Sequence, residues 1–343
     1  MKRRSLLFLG TFLAAPSGSR AISGDIGLRL KDLGWQVTFS SRRMGRFTRL
    51  ADTLLTVFRN RETCDAAHLD VYGGKALYLA DATSWMLRKC GIRFAATLHG
   101  GSLPAMASIH PGRISRVLSR ADRVVSPSGY LKEALSPLGF PIEVIPNPVQ
   151  VSSYGRVTTE SSAMRLVWLR AFHKIYNPTM AIDCLAKVRT RHPGATLVMV
   201  GADKDGSLSM VRRHAIRLGL LDSVNLVPGI PKAEVPALLA SGEIFLNTTE
   251  VDNTPVSVIE AMASGLAVVS TRVGGVPWLI RDGENGILVP SRDSEAMAMA
   301  VIRLLEDPGL KATISTNARA HAAAMDWSQV VPQWSKLFHE LAR

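Results

Sequence analysis

Short apolar runs alternate with stretches of helical periodicity along almost the whole chain, and this alternation restricts the fold more than any other feature. Leu6 to Phe12, Trp35 to Phe39, Ala67 to Val71, Phe94 to Leu98, Arg123 to Ser126 and Ile142 to Ile145 each have strand length, with helix-length segments between them. Between the first two runs, Ile22, Ile26, Leu30 and Leu33 share one helical face, and Gly34 ends it. Strands separated by helices pair in parallel, and the helices cover the sheet. Two prolines break the pattern at Ile145-Pro146-Asn147-Pro148, and Ser153 to Ser162 is polar and aperiodic, as a linker is. The alternation restarts with Leu166 to Leu169, Thr196 to Val200, Val224 to Leu226, Ile244 to Leu246, Ala267 to Ser270 and Ile287 to Val289. These series predict an α/β chain of two Rossmann-like, doubly wound domains, 1–148 and 149–325, facing a central cleft lined by the loops after the strands. Trp327, Val330, Val331, Trp334, Leu337 and Phe338 recur at helical spacing and predict a C-terminal helix over 326–343 that packs back towards the N-terminal domain.

Charge separates the halves. Residues 1–150 hold 21 basic and 10 acidic side chains, against 20 and 18 in the remainder, so nearly all of the +13 net charge lies in the first half. That asymmetry points to an anionic partner: an acidic substrate, an anionic membrane surface or nucleic acid. No interleaved basic and aromatic platform accompanies it, which disfavours nucleic acid. Cys64, Cys90 and Cys184 are too scattered for a disulfide framework or a zinc site, and a reducing, cytoplasmic setting is expected. No apolar run reaches the length of a membrane span. Met1-Lys2-Arg3-Arg4 and Leu6 to Ala15 imitate a secretory leader, but the same residues continue through the turn Ala15-Pro16-Ser17-Gly18-Ser19 into a βαβ unit.

The segment from Asn247 to Gly265 carries the richest chemistry. After the strand Ile244 to Leu246, Thr254 can cap a helix with Pro255 in its first position, and Gly265 can end it. Backbone N–H groups around Val256 and Ser257 then offer an anion site. Asp252 in the loop and Glu260 in the helix can face one ligand, and a carboxylate accepts two hydrogen bonds from a ribose diol. On residue type alone, a turn former and a helix-face acid serve as well.

The stretch Asp252 to Gly265, with Ala267-Val268-Val269-Ser270-Thr271-Arg272-Val273-Gly274-Gly275-Val276-Pro277 and Asp282-Gly283-Glu284-Asn285-Gly286-Ile287-Leu288-Val289-Pro290, resembles the C-terminal domain of family 4 glycosyltransferases of the GT-B fold. Ile145-Pro146-Asn147-Pro148 resembles the family's interdomain segment. The resemblance implies a retaining, nucleotide-sugar-dependent transferase acting on a glycan, lipid-linked or envelope-polysaccharide acceptor, with no metal or other cofactor. It gives Glu260 the donor ribose and places Asp252, where the family more often has Glu, by the sugar. Arg170 and Lys174, in Leu169-Arg170-Ala171-Phe172-His173-Lys174, resemble the pair that neutralises the leaving diphosphate, although Ile175-Tyr176-Asn177-Pro178 departs from the usual continuation. His99, in Thr97-Leu98-His99-Gly100-Gly101, resembles a histidine near the sugar.

Asn253, Thr254, Pro255, Val256 and Ser257 complete the expected donor loop, with Gly18, Gly201, Gly274 and Gly275 where the backbone can approach the donor, or where a tight turn alone needs glycine. The family often carries Glu where Trp278 stands. Asp203 and Asp205 imitate a metal-binding pair, but Lys204 lies between them in a loop. Arg42, Arg43, Arg46 and Arg49 precede Leu50, Leu54, Leu55, Val57 and Phe58, with Arg59 and Arg61 beyond; such a helix suits an anionic membrane surface or an ordinary solvated helix face. The alternatives are a nucleotide-sugar epimerase of similar architecture and a basic nucleic-acid-binding protein.

Overall fold

The computed structural model describes residues 4–12, 21–155 and 164–342. The chain divides into two compact units, Met1–Pro148 with Ser328–Arg343, and Val149–Trp327. Gly18, the turn around it, and most of the polar stretch before Arg165 lie outside the described residues.

In the first unit, β1 (Ser5–Leu9), β2 (Gln36–Ser40), β3 (Ala66–Tyr72), β4 (Phe94–His99), β5 (Arg123–Ser126) and β6 (Glu143–Val144) form a parallel sheet in the order β2-β1-β3-β4-β5-β6. The first strand ends at Leu9, short of the expected Phe12. At Gly10 the chain passes so close to Asp70 that a Cβ would fall 2.2 Å from its Oδ2, and Phe12 leaves the sheet to pack edge-on against Phe39, ring centroids 5.1 Å apart. Alternate residues of buried strands point to opposite faces. Leu7, Leu9, Leu69, Val71, Ala96 and Leu98 thus join one core with Val57, Leu77 and Leu87 from the helices. Phe8 and His68 point the other way, stacked at 4.7 Å, and meet the helix Trp327–Leu341: Phe338 lies 5.8 Å from Phe8 and Trp334 5.5 Å from His68 between centroids. Burial pushes the His68 imidazole down to about 4, so it is neutral, and its Nε2 shares a 2.7 Å hydrogen bond with Thr97 Oγ1.

The second unit repeats the plan. β7 (Arg165–Leu169), β8 (Thr196–Val200), β9 (Val224–Val227), β10 (Ile244–Asn247), β11 (Ala267–Thr271) and β12 (Ile287–Val289) are parallel, in the order β12-β11-β10-β7-β8-β9. Leu166, Trp168, Leu246 and Val269 face helices Pro178–Arg191 and Ser294–Glu306, while Val167, Phe245 and Val268 face helices Val256–Ser264 and Pro308–Ala323. Apolar side chains on both faces explain why these strands read as continuous apolar runs. Each fully buried Leu, Val or Phe stabilises by roughly 1.5–3 kcal/mol relative to exposure.

Candidate functional site

The order of the second sheet reverses between β7 and β10, and open α/β sheets bind ligands outside the strand ends at such a point. Arg170 leaves β7 and the Asn247-to-Ser257 segment leaves β10, so the topology brings both to that crevice. The helix after β10 runs Val256–Ser264, one residue later than expected: the Pro255 carbonyl accepts from Val258 and Ile259, and Pro255, at φ −68° and ψ 112°, is the cap in place of Thr254. Gly265, at φ +78°, ends the helix as expected.

Arg170 is the centre of the site. Its guanidinium forms an ion pair with Asp252 and stacks over the Tyr176 ring, 4.3 Å from the centroid. Asp252 Oδ1 also accepts the Asn253 N–H at 2.9 Å. Burial pushes the Asp252 carboxyl above its ordinary range, and Arg170 and the Asn253 bond draw it part of the way back. Glu260 is 8% exposed and accepts a 3.0 Å hydrogen bond from the Tyr154 hydroxyl. Burial raises it as well; Tyr154, and the charges of Lys232 and Arg170, oppose the rise. One guanidinium therefore acts on both carboxylates. Arg170 Nε and Ser257 Oγ are buried without a hydrogen-bond partner among the described residues.

Three glycines hold this geometry. A Cβ at Gly201 would fall 1.7 Å from the Arg170 carbonyl oxygen. At Gly274 it would lie 2.0 Å from the Asp252 carbonyl oxygen, and at Gly275 1.9 Å from that of Asn253. The Gly275 N–H donates to the Asp252 carbonyl at 3.1 Å. Gly274 and Gly275 thus fix the loop bearing Asp252 and Asn253 from behind.

Lys174 is not joined to the Arg170–Asp252 pair. It is exposed at the start of a 3-10 turn, its N–H donates to Asp205 Oδ2 at 3.0 Å, and its ammonium pairs with no described residue. Asp203 and Asp205 accept hydrogen bonds from Gly206, Ser207 and Lys174 as turn acids.

His99 lies in the first unit, at the end of β4. Its Nε2 is 2.8 Å from Asp70 Oδ1, and its ring stacks on Tyr72 at 4.8 Å. The Ser23 hydroxyl donates to Asp70 Oδ2 at 2.8 Å. A carboxylate can only accept, so His99 Nε2 is the donor to Asp70. Sequence reasoning missed Asp70, Tyr154, Tyr176 and Lys232. The signal for Asp70 was an acid inside the buried run Ala66–Tyr72; Tyr154 stood in a segment read as linker and gave none.

Among the described residues no group of three or more His, Cys, Asp and Glu is placed to hold a metal ion, and no helix is long and apolar enough to cross a membrane.

The family “Glycosyl transferases group 1” matches residues 163–321, and “Glycosyltransferase Family 4” matches residues 13–153. A D-inositol 3-phosphate glycosyltransferase of Acidothermus cellulolyticus is 33% identical over 162 residues, 45% of this chain and 36% of the relative. A GDP-mannose-dependent alpha-(1-6)-phosphatidylinositol monomannoside mannosyltransferase of Mycolicibacterium smegmatis is 27% identical over 264 residues, 71% of this chain and 68% of the relative. The matches to the first three curated relatives span 36%, 38% and 62% of those proteins' own lengths. Among solved structures, Anabaena HepE in complex with UDP and glucose has a TM-score of 0.79 at 18% identity, covering 98% of this chain and 100% of that one. Sucrose-phosphate synthase from Thermosynechococcus elongatus has a TM-score of 0.81 at 17% identity, covering 99% of each chain. At such identities the likeness shows the fold. With a family match in each half and two parallel Rossmann-like sheets, the chain belongs to glycosyltransferase family 4 and has the GT-B architecture.

Proposed function

We propose that this chain moves a hexosyl group from a nucleoside diphosphate sugar to an acceptor hydroxyl, with retention at the anomeric carbon. The observation that carries this reading is the pair of buried, unpartnered polar atoms, Arg170 Nε and Ser257 Oγ, on the two segments that leave β7 and β10. Orphaned buried donors cost free energy unless a ligand takes them up, and diphosphate oxygens accept from both. Glu260 receives the ribose hydroxyls on the carboxylate capacity that Tyr154 leaves open. Asp252 and the N–H groups near Val256 face the sugar, with Asn253, Thr254 and Pro255 shaping the loop and Gly201, Gly274 and Gly275 admitting it. His99, held by Asp70, is the candidate polar group of the first unit.

In the reaction the bond from the anomeric carbon to the diphosphate oxygen breaks, and the leaving group keeps the electron pair. The acceptor oxygen bonds to that carbon on the same face, and its proton passes to the departing phosphate. Charge stabilisation falls to Arg170 and Lys174 without a metal ion, so transfer persists in EDTA. The relatives named for inositol phosphate and phosphatidylinositol monomannoside support a hydroxyl-rich, anionic glycan or lipid-linked acceptor, which the basic first half suits.

A thermal-shift series with UDP, GDP, ADP and their sugars identifies the donor, because a ligand bound only by the native state raises the unfolding temperature. With that donor, Arg170→Ala and Glu260→Ala are expected to lose transfer by about 10²-fold or more while unfolding normally. Full activity in both variants rejects the site. Conversion of the donor at full rate without acceptor would indicate an epimerase instead.

A further inference from the structure

Helix Arg46–Arg59 of the first unit carries an outward apolar stripe in addition to an inward one. At 100° per residue, positions 47, 51, 55 and 58 fall within one sector of about 80°. They are Phe47, Ala51, Leu55 and Phe58, and all four are exposed, Phe47 at 89%. Met44, just before the cap residue Gly45, is 81% exposed. The helix residues that are buried are Thr53 and Val57. Half-buried Leu50 and Leu54 lie with Val57 on the inward side, so the exposed stripe is a second apolar face beyond the one an ordinary surface helix buries.

Arginines surround the stripe. Arg42, Arg43 and Arg46 are exposed at one end; Arg59 and Arg61 stand at the other, Arg61 lying 4.2 Å over the Phe58 ring and paired with Glu62. Arg49 turns inward and donates to the carbonyls of Arg43 and Met44 at 3.0 and 3.3 Å, and to Thr11 Oγ1 at 3.2 Å. Those bonds fix the turn that projects Met44.

We infer that this face docks on an anionic lipid bilayer, with Met44, Phe47, Leu55 and Phe58 entering the interfacial layer and Arg42, Arg43, Arg46 and Arg59 meeting lipid phosphates. A second copy of the chain would bring the same arginines against these, like charge facing like. Nucleic acid supplies phosphates but no apolar phase for Met44 and Phe47. A bilayer of acidic lipid supplies both.

Binding is read on the full chain without donor or acceptor, so the outcome does not depend on glycosyl transfer. Flotation with phosphatidylcholine vesicles containing about 30 mol% phosphatidylglycerol is expected to show at least about tenfold tighter partitioning than with phosphatidylcholine alone, weakening about tenfold in high salt. Phe47→Asp with Phe58→Asp, and Arg42→Glu with Arg43→Glu and Arg46→Glu, should each lose about tenfold or more at an unchanged unfolding temperature. Should those variants fail to fold, Phe47→Trp serves: its emission shifts to the blue on acidic vesicles. Unchanged emission, equal binding to neutral vesicles, or a dimer dispersed by Phe47→Asp in a chain that ignores vesicles would overturn the inference. Tighter binding to duplex DNA, indifferent to Phe47→Asp, would overturn it too.

Discussion

Gly201→Ala tests the site through its backbone. The new methyl carbon would stand 1.7 Å from the Arg170 carbonyl oxygen, where ordinary contact begins at 3.4 Å, so the start of the Arg170 loop and the end of β8 must part by about 1.7 Å. Overpacking of this kind costs about 1–3 kcal/mol. For a unit of this size, each kcal/mol lowers the unfolding temperature by roughly 2–4 °C. The larger effect falls on chemistry, because Arg170 would move with its carbonyl, and misplacement of a charge-stabilising group by about 1 Å can lower the rate about 10²-fold. Steady-state kcat/KM with the donor found by thermal shift, together with an unfolding curve, gives both readings. Gly194→Ala is the control: nothing lies within 4 Å of the place its methyl group would take, and it should match the wild type. A Gly201→Ala protein with unimpaired kcat/KM and unchanged unfolding would refute the close packing of Gly201 on Arg170.

Glu260→Gln should flatten the pH dependence of stability. Because burial holds the folded carboxyl above its ordinary range, the folded state binds that proton more readily, and stability falls as pH rises from the ordinary value through the raised one. Unfolding temperatures across that range test it, and an unchanged slope contradicts the burial argument. Asp70→Asn should cost about 1.5–3 kcal/mol at neutral pH. Burial alone would raise this carboxyl, but the charge and hydrogen bond of His99 hold it below its usual range, so its contribution is present above the ordinary carboxylate value and lost as pH falls through the folded one. Denaturant unfolding at neutral and acid pH would show the loss, and wild-type behaviour at both would refute the pairing. Trp334→Ala, at a side chain 2% exposed between Phe338 and His68, should cost about 3–5 kcal/mol in urea unfolding; a loss below about 1 kcal/mol would show that the C-terminal helix adds little to the first unit.

The two-sheet plan was legible because each buried strand is apolar on both faces, as Val167 and Trp168 show by entering different cores. The turns that bound the 252–275 segment were legible because Gly265, Gly274 and Gly275 occupy backbone positions with a physical need for glycine. Pairings were not. Arg170 and Asp252 are 82 positions apart, and Tyr154 and Glu260 106, so only the topology brings them together. Sequence reasoning gave Arg170 and Asp252 separate tasks, whereas the folded chain couples them in one ion pair. The cap moved from Thr254 to Pro255 because the proline backbone is extended, a choice that residue preference alone does not make. The Lys174 N–H is committed to the Asp205 turn, and its ammonium forms no ion pair with a described residue.

The first unit is discontinuous in the chain: Met1–Pro148 is completed by Ser328–Arg343, which covers Phe8 and His68. During synthesis, the part of that sheet face around Phe8 and His68 therefore stays uncovered until the ribosome has made the entire second unit and the helix Trp327–Leu341 beyond it. A stop codon near the end, far in sequence from either candidate site, would leave a nascent protein with an uncovered aromatic face and expose it to aggregation or proteolysis.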